Sequence, residues 1–493
     1  MGAEPDAQLV LLRFSGEIST KARATRHQFV RRLIQNLRDA ITCQGIPPRV
    51  RLTHNRIFVE LPPHADAEAL TRVFGVQSQS LVERVVPAEV GAIVSAAEPL
   101  FRERVRGRRF AVRARRVGNR DGSGPSPRDI EVELGAALLP AAAGVDLGNP
   151  EVTVHIELID GSAYVLRDRT LAHGGLPLGV EGSALALMSG GFDSAVAAWQ
   201  LLRRGVFVDY VFCNLGGDTH RLGVLRVAKQ LADCWQHGQR PRLHSVDFGP
   251  VVDALREHTA KRYWQVLLKR LMLRAAEQVA LEGRCTALVT GDSVGQVSSQ
   301  TLQNMAVIST ATSLMLLRPL VGTNKEEIVR SAQRIGTFDL SKVVGEYCDL
   351  VPRRPATAAA ADVVLREEAR IDLRVLERAV AARTTFDLRG LDEASLALPE
   401  LDVTRIPEDA VVVDLRPRPQ FDSWHHPDAV QLDFAQALRA WASFDRSRSY
   451  VLYCDFGLLS AHLAEMMRKA RYQAHHVKGG TRALRKRLEA GSH

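Results

Sequence analysis

Apolar positions near the N-terminus predict a strand, a helix and two further strands. The segment from Gln8 to Phe14 is apolar and extended, whereas Ser19 to Thr42 carries its apolar side chains at helical spacing. Two short extended segments follow, at 49–52 and 56–61, and Pro62-Pro63 ends the pattern. Residues 1–63 are therefore expected to form an N-terminal domain of mixed helices and strands.

Residues 64–168 show both kinds of periodicity, which predicts a small α+β domain. The predicted helices are 67–74 and 90–105, and the predicted strands are 109–115, 152–158 and 162–166. The stretch 169–182 is rich in glycine and proline, so an irregular linker is expected there.

Between residues 183 and 375 apolar strands and amphipathic helices alternate regularly. The predicted strands are 184–188, 207–212, 242–247 and 287–290, and the predicted helices are 194–204, 220–234 and 251–282. Because each strand is a short apolar run, it is expected to be buried on both faces. The alternation predicts a doubly wound α/β domain with a parallel sheet.

The C-terminal part of the chain predicts a second, smaller α/β unit. From 356 to 402 the chain is rich in Ala, Arg and Glu, which predicts a helix followed by a tether, and the linker is placed at 376–403. Residues 404–493 then contain predicted strands at 410–415, 449–454 and 474–477 and a predicted helix at 461–470. The expected fold class is multidomain α/β.

Composition agrees with this organisation and excludes several classes of protein. A chain of 493 residues is too long for one hydrophobic core, and 46% hydrophobic with 25% charged residues is ordinary for a globular protein. The six cysteines are scattered and include no C-x-x-C pair, which argues against a disulfide framework and a structural zinc site. No signal-peptide pattern is present, and no apolar run approaches the roughly 20 residues of a membrane span. A cytoplasmic protein without a membrane partner is expected.

The strongest chemical signal is the run Ser189-Gly190-Gly191-Phe192-Asp193-Ser194, which joins an apolar strand to a helix. Adjacent glycines let the backbone approach a ligand closely, and a helix N-terminus favours an anion. The two serines add hydroxyl donors, and Asp193 is placed to hold Mg²⁺ on bound phosphates. A plain Gly-rich turn is the alternative, but the complete run after the first strand of a doubly wound sheet favours nucleotide binding. The run resembles the loop of PP-loop ATP pyrophosphatases, which cleave ATP between the α and β phosphates and adenylate a carbonyl oxygen.

Two further segments of this domain are candidates for the same site. The loop from Thr290 to Gln300 follows an apolar strand and carries small and amide side chains, at the end of a strand where open α/β sheets bind ligands. Taken alone, it fits a polar loop with a helix cap equally well. Lys325 stands at a predicted helix start, where a cation opposes the helix dipole, so this lysine is expected to meet a phosphate.

Cys454 begins a second strand-to-helix loop, which runs through Ser460. Such a loop directs backbone N–H groups toward its first residue, which favours a thiolate and a role as nucleophile and sulfur carrier. A buried packing cysteine is the alternative. With the segments 414–416, 424–429 and 478–480, the loop resembles that of a rhodanese domain, whose first cysteine carries a persulfide. Leu459 replaces the arginine frequent in general rhodaneses, which disfavours thiosulfate as the donor.

Arginines crowd between residues 102 and 120 and are opposed in that run only by Glu103. The net charge of +9 permits a polyanionic partner without requiring one. Because the run spans a helix end and a strand, several arginines are expected to share a surface that grips RNA phosphates, with a solvated charged face as the alternative. The candidate RNA-binding residues are Arg102, Arg109, Arg113, Arg115 and Arg116.

In this order, the segments resemble the tRNA 4-thiouridine synthetase (ThiI) family over nearly the whole chain. Residues 14–21 are similar to the opening of its ferredoxin-like domain, 64–168 to its THUMP domain, which holds the acceptor end of tRNA, and 404–490 to its rhodanese extension. The resemblance implies catalytic roles for Asp193, Lys325, Cys454 and Cys348, the last two closing a disulfide during turnover. It implies ATP contacts at Leu187, Met188, Phe212, Cys213, Lys269, Gly291 and Gln300.

The implied enzyme is a tRNA uracil 4-sulfurtransferase. ATP adenylates O4 of a uridine, U8, and persulfide sulfur from Cys454 then replaces this oxygen, either by direct attack or as sulfide freed by Cys348. The implied partners are tRNA, a cysteine desulfurase that reloads Cys454 and a reductant that reopens the disulfide. The oligomeric state is left open, with a homodimer as one candidate. The alternative function is a sulfur carrier for the thiazole ring of thiamine, which needs only the rhodanese domain.

Overall fold

The computed structural model describes residues 7–118, 124–344, 355–392, 394–396, 401–403 and 405–490. The chain folds into two compact units. The first comprises the residues up to Glu181 together with Leu202–Val206 and Cys234–Gln239, and the second comprises the remainder. Within the described ranges, none of the helices combines the length and the apolar character needed to cross a bilayer.

The first unit is built on one sheet with helices packed against it. Its strands are β1 (Gln8–Phe14), β2 (Arg49–Thr53), β3 (Arg56–Leu61), β4 (Val76–Pro87), β5 (Arg109–Val117), β6 (Gly144–Val145), β7 (Val152–Ile159), β8 (Ser162–Leu166) and β9 (Thr170–Leu171). Its helices are α1 (Gly16–Ser19), α2 (Arg23–Thr42), α3 (Val90–Val105) and α4 (Pro127–Leu138). The apolar positions that predicted α2, Phe29, Leu33 and Leu37, are all buried in its core.

The long strand β4 joins the two domains that were predicted for this part of the chain. The sheet runs in the order β2-β3-β1-β4-β8-β7-β5-β6, with β9 also paired to β4. Because β4 pairs with β1 on one side and with β8 on the other, the segments 1–63 and 64–168 share a continuous sheet. The sequence pattern does not predict β4, since a bulge between Val82 and Arg84 interrupts its alternation, and it does not predict α4.

Three charged side chains from β1, β3 and β7 form a buried ion-pair group. The Glu157 carboxylate lies 2.7 Å from Nε of Arg13 and 2.6 Å from Nε of Arg56. Burial opposes the charge on Glu157, but the two guanidinium groups hold the pKa of this carboxyl below its ordinary value. The three residues are far apart along the chain, so no local pattern predicts their pairing.

The first part of the second unit is a six-stranded sheet with helices on both faces. Its strands are β10 (Ser183–Leu187), β11 (Phe207–Asn214), β12 (Arg242–Asp247), β13 (Ala287–Val289), β14 (Met315–Leu317) and β15 (Thr384–Asp387). Its helices are α5 (Phe192–Arg203), α6 (Gly217–Trp235), α7 (Gly249–His258), α8 (Trp264–Glu282), α9 (Leu302–Ser309), α10 (Lys325–Ile335), α11 (Phe338–Val343), α12 (Ala361–Glu368) and α13 (Arg374–Ala381). The order β14-β13-β10-β11-β12-β15, parallel except at β15, confirms the predicted doubly wound sheet.

The helix predicted over 251–282 is divided into α7 and α8. At the break, Thr259 is extended, with φ −128° and ψ 158°. The next amide, that of Ala260, donates to the Glu367 carboxylate at 2.6 Å instead of continuing the helix. A partner more than a hundred residues away therefore ends α7, which the apolar spacing within 251–282 cannot reveal.

The predicted linkers both differ from the structure. In 376–403, helix α13 packs against α7 and α8, and β15 is an antiparallel edge strand beside β12, so the nucleotide domain continues past residue 375. In 169–182, β9 pairs with β4, and Leu176 and Leu178 are buried in the first unit. Composition predicted tethers there, but apolar side chains in both stretches, such as Leu176 and Val380, are buried in packing.

The C-terminal part of the second unit is a five-stranded parallel sheet. Its strands are β16 (Asp402–Val403), β17 (Val411–Asp414), β18 (Ala429–Gln431), β19 (Ser449–Tyr453) and β20 (Gln473–Val477), and its helices are α14 (Arg418–Ser423), α15 (Phe434–Ala440), α16 (Leu458–Lys469) and α17 (Gly480–Ala490). The order β16-β20-β19-β17-β18 puts β19 in the middle of the sheet. Cys454 follows the last residue of β19, as predicted.

Candidate active site

The run Ser189–Ser194 forms a tight loop between β10 and α5. Its two serines close the loop on themselves, since their Oγ atoms lie 3.2 Å apart and the Ser194 hydroxyl donates to the Gly191 carbonyl at 3.1 Å. Gly190 has φ +82°, and a Cβ there would lie 3.0 Å from Cγ1 of Val344. The loop therefore requires glycine at this position both for its backbone conformation and for its packing.

Two adjoining cavities, of about 360 and about 260 Å³, lie at the carboxyl ends of the strands, where the loop is. They share Leu187, Ser189, Asp193, Lys269 and Met272 as walls. Every residue predicted to contact ATP lines one of them except Gly190. The larger cavity is lined by Leu187, Met188, Ser189, Gly191, Asp193, Phe212, Cys213 and Lys269, and the smaller adds Ser194, Gly291 and Gln300.

The backbone of Gly291 approaches the phosphate loop too closely for any side chain. A Cβ on this residue would lie 2.7 Å from the carbonyl carbon of Asp193 and 2.8 Å from the amide nitrogen of Ser194. Real Cβ atoms essentially never come so near to backbone atoms. The loop after β13 and the loop after β10 therefore pack together at Gly291. In the sequence, this glycine is one of several small residues in the segment and does not stand out.

Asp292 is the centre of a polar cluster in the smaller cavity. This residue was not among the predicted site residues. Its carboxylate lies 2.6 Å from Nζ of Lys269 and accepts from Thr290 Oγ1 at 2.8 Å and Gln300 Nε2 at 3.1 Å. Arg318 Nε lies 3.4 Å away. Burial opposes the charge, but Lys269 and the hydrogen bonds hold the pKa of Asp292 well below its ordinary value. An ionised Asp292 thus orients Lys269 in the cavity.

Asp193 and Lys325 are brought together although they lie 132 residues apart. Lys325 is the first residue of α10, and its Nζ lies 2.9 Å from both carboxylate oxygens of Asp193. Gln296 donates to the same carboxylate at 3.0 Å. The predicted lysine at a helix start thus reaches the phosphate loop, where its described partner is a carboxylate.

Two titratable side chains in the cavity wall are kept uncharged. His220, on α6, is buried edge-on against the Phe212 ring, with centroids 4.7 Å apart, and burial lowers its pKa to about 3. Burial of the Cys213 thiol raises its pKa far above the ordinary value. His220 was not predicted as a site residue, because a lone histidine on an apolar helix face carries no distinctive signal.

Cys454 lies at the start of the second strand-to-helix loop, with one backbone donor and one hydroxyl at its sulfur. Its Sγ accepts the Gly457 N–H at 3.2 Å and lies 3.5 Å from Ser460 Oγ. Its carbonyl accepts the Thr481 N–H at 2.9 Å. The side chain is buried, as a packing cysteine would also be, but the N–H of Gly457 and the N-terminus of α16 are features expected for a sulfur carrier. Cys348, its predicted partner, lies outside the described residues.

The predicted arginine surface is only partly formed. Arg109, Arg113 and Arg115 occupy alternate positions on β5 and so lie on one face of the sheet. Arg116 has the opposite parity, and its guanidinium donates to the Pro125 carbonyl at 2.6 Å.

Acidic residues from outside the arginine run neutralise part of its charge. Arg102, on α3, pairs with Glu98, and Arg104 lies 2.5 Å from Asp168. Glu103 is the only acidic residue within the run itself, and the fold adds Glu98 and Asp168 from outside it. Of the five candidates, Arg109, Arg113 and Arg115 share one face of the sheet.

One group of potential metal ligands occurs among the described residues, in the first unit. Asp39, Cys43 and His237 place one ligand atom each within 4.8 Å of one another. The Asp39 carboxylate already accepts the Gly238 N–H at 2.7 Å. This hydrogen bond joins the loop around His237 to α2.

Comparison with protein families supports the predicted domain types in the predicted order. The ThiI ferredoxin-like domain matches residues 9–80 and the THUMP domain matches 87–168. The model described as thiamine biosynthesis protein (ThiI) matches 179–373, and the rhodanese-like domain matches 400–487. Ferredoxin-like, THUMP, PP-loop and rhodanese folds are therefore all present.

Curated relatives match from end to end. A tRNA sulfurtransferase of Pyrobaculum aerophilum is 37% identical over 479 residues, 96% of this chain and 96% of the relative. A tRNA sulfurtransferase of Desulfurococcus amylolyticus is 34% identical over 97% of this chain and 98% of its own length. A solved 4-thiouridine synthetase–RNA complex with bound ATP has a TM-score of 0.69 at 27% identity and covers 77% of this chain and 99% of its own. The chain belongs to the tRNA sulfurtransferase (ThiI) family.

Proposed function

We propose that this protein is an ATP-dependent tRNA sulfurtransferase that converts a uridine, U8, to 4-thiouridine. The observation that carries the proposal is the pair of adjoining cavities, which the Ser189–Ser194 loop and Lys269 line and where Lys325 contacts the lining residue Asp193. A strand-to-helix loop beside basic side chains is suited to the phosphates of ATP. The same second unit carries a cysteine at the head of a rhodanese-type loop, which supplies sulfur.

The first step is adenylation of the uracil. O4 attacks the α-phosphorus of ATP, pyrophosphate leaves, and the oxygen becomes part of an AMP leaving group. Lys269 and Lys325 supply positive charge where the departing pyrophosphate gains negative charge. His220 and Cys213, both uncharged, add no competing charge to the wall near Phe212.

Asp193 is the residue that would hold Mg²⁺. Carboxylate oxygens are the protein ligands that Mg²⁺ prefers, and phosphates complete its shell. Both Asp193 and Asp292 already have side-chain partners, but the Asp193 side chain is 25% exposed and that of Asp292 only 11%, so Asp193 is the more accessible ligand. When bound, Mg²⁺ neutralises charge on the phosphates.

The second step replaces oxygen by sulfur. In the direct route, the terminal sulfur of a Cys454 persulfide attacks C4 and AMP leaves; the Cys348 thiolate then attacks Sγ of Cys454, which releases thiolated tRNA. In the other route, Cys348 attacks first and frees sulfide, which attacks C4. Both routes end in a Cys348–Cys454 disulfide, so a dithiol reductant must supply two electrons per turnover. A cysteine desulfurase then restores the persulfide.

One contact joins described residues that are close in sequence to the two cysteines. The ring of Phe456, two residues after Cys454, lies 5.8 Å from Nζ of Lys342. Lys342 precedes Cys348 by six residues in the sequence.

tRNA is the proposed substrate, and Arg109, Arg113 and Arg115 are proposed to contact its phosphates. The solved relative with bound RNA and the curated relatives named tRNA sulfurtransferase support this assignment. The alternative, sulfur supply to the thiamine thiazole ring, is not favoured. It would leave the ATP cavity and the arginine-bearing sheet without a role.

The variant Cys454→Ser tests the proposal. It is expected to bind ATP and tRNA normally and to form no 4-thiouridine, measured by nucleoside analysis of tRNA after incubation with ATP and a persulfide donor. Cys43→Ser, which changes an exposed cysteine of the first unit, is the matched control and should keep full activity. Full thiolation by the Cys454 variant would refute the assignment of Cys454 as the carrier.

A further inference from the structure

A carboxylate from the rhodanese domain caps a helix of the nucleotide domain. Glu465, on α16, is buried, and its two oxygens accept the backbone N–H groups of Asp218 and Thr219, each at 2.8 Å. These amides belong to the first turn of α6, which begins at Gly217. The first N–H groups of a helix have no partner within it, and the helix dipole favours an anion there. Glu465 thus satisfies donors that α6 itself cannot.

Residues on both helices fit closely around the Glu465 carboxylate. Lys469, one turn further along α16, lies 2.8 Å from the Glu465 carboxylate. Gly217 has φ +74°, and a Cβ at this position would overlap the Glu465 carboxylate and lie 2.8 Å from Nζ of Lys469. Although burial opposes the charge on Glu465, Lys469 and the two amides hold its pKa below the ordinary value. An ionised side chain therefore occupies a space that a larger residue at 217 would fill.

The same contact links the two chemical sites. On α6, Thr219 is followed directly by His220, a wall residue of the ATP cavity. On α16, the helix begins four residues after Cys454, and His462, one turn before Glu465, is buried and electrostatically coupled to His220. A small cavity of about 50 Å³ is lined jointly by Thr219 and Leu222 of α6 and by Phe456, Gly457 and Ala461 around the cysteine loop. The face of α16 that carries Glu465 is therefore the one that meets the nucleotide domain.

We propose that Glu465 is a positioning residue for sulfur transfer, which holds α16 on the N-terminus of α6 and thereby keeps the Cys454 loop beside the ATP cavity. The inference rests on the proposed function for its catalytic consequence, but the docking contact itself does not depend on it. Glu465 touches neither ATP nor the transferred sulfur in this assignment. Its removal should leave each half-site intact and slow only the step that needs both.

The test compares Glu465→Ala with wild type in the full chain. Three properties should stay unchanged: tRNA-dependent ATP–pyrophosphate exchange, tRNA binding and persulfide loading of Cys454 by a persulfide donor. The single-turnover rate constant from the preloaded persulfide to tRNA should fall about tenfold or more, since one charge-assisted hydrogen bond is worth at least that factor. Hydrogen exchange at the amides of Asp218 and Thr219 should become faster by a comparable factor.

Two further variants make the outcome decisive. Glu489→Ala removes an exposed glutamate of the same domain, whose described partner is Arg485 at 2.9 Å, and should match wild type in every assay. Glu465→Gln keeps one carbonyl acceptor and should fall between wild type and alanine, and it replaces the alanine variant if that protein does not fold.

An unchanged single-turnover rate in either Glu465 variant would overturn the positioning role, whether or not amide exchange is faster. Slower persulfide loading or slower pyrophosphate exchange would also overturn it, because the defect would then lie within one domain. Failure of the wild-type protein to thiolate tRNA at all would instead count against the proposed function, and exchange at Asp218 and Thr219 would still report the contact.

Discussion

Replacing Gly291 by alanine would drive a methyl group into the backbone of the phosphate loop. The new Cβ would lie 2.7 Å from the carbonyl carbon of Asp193, 2.8 Å from the amide nitrogen of Ser194 and 2.9 Å from the Asp193 carbonyl oxygen. All three are backbone atoms, so no side chain can turn aside to make room. The start of α5 or the loop after β13 must therefore move.

The size of that movement sets the expected effect. Ordinary van der Waals contact begins at 3.4 Å, so the two loops must separate by about 0.7 Å from the 2.7 Å contact. A displacement of about 1 Å in groups that orient reactants costs on the order of 100-fold in rate, and overpacking of this kind costs about 1–3 kcal/mol in stability. We expect kcat/KM for ATP to fall by about 10- to 100-fold, with tRNA binding unchanged.

The assay is tRNA-dependent ATP–pyrophosphate exchange, with ATP affinity measured separately by calorimetry. Gly322→Ala is the matched control, because a Cβ there meets nothing within 4 Å and its backbone is not in the left-handed region. This control should behave as wild type. Wild-type ATP affinity and exchange in Gly291→Ala, in a folded protein, would refute the conclusion that the fit between these loops shapes the nucleotide site.

Two further predictions concern turnover and stability. Cys348→Ser should complete at most the first sulfur transfer and then stop, because no thiol remains to resolve Cys454; unchanged steady-state formation of 4-thiouridine with excess donor would contradict a resolving role. Glu157→Gln should destabilise the first unit by about 3–5 kcal/mol, because it leaves the buried Arg13 and Arg56 without a counter-charge. The control Glu60→Gln, at an exposed glutamate, should cost less than about 1 kcal/mol. Amide hydrogen exchange in β1 measures the stability of both variants. Since the pKa of Glu157 is lowered in the folded protein, its contribution is present above the ordinary glutamate value of 4.5 and is lost as pH falls through the folded value. Glu157→Gln should lack this acid-side loss.

The sequence predicts those parts of the site whose functional residues lie close together along the chain. The run Ser189–Ser194 predicts a turn between a strand and a helix, and the structure has such a turn between β10 and α5. Lys269 and Met272, three residues apart on one predicted helix, both line the cavity. Local spacing is enough in such cases, because helix and strand geometry fix which neighbouring side chains share a face.

The parts that escape prediction are pairings between distant segments. Asp292 was read as one residue of a polar loop, and only the fold shows that it holds Lys269 from α8 and a guanidinium from Arg318. Glu465 lies on an amphipathic helix and has nothing in its own sequence to suggest a cap for α6, 246 residues away. The continuous sheet through β4 was not predicted for a related reason. Strand pairing between two predicted domains cannot be recognised from the local sequence pattern of either domain.

The cavity gives a physical reason for assigning the sulfur to Cys454, rather than to Cys213, in the proposed mechanism. Cys213 stands in the wall of the ATP site, so nearness alone would make it a candidate carrier. Burial raises the pKa of its thiol far above the ordinary value, which keeps the sulfur protonated and a poor nucleophile. Cys454 has instead a backbone N–H directed at its sulfur and a helix N-terminus behind it. An apolar wall suits a nucleotide base, whereas a sulfur carrier is better served by a backbone donor and a helix N-terminus such as those at Cys454. In the proposed mechanism the two tasks therefore need separate sites, and the proposed role of Glu465 is to hold those sites together.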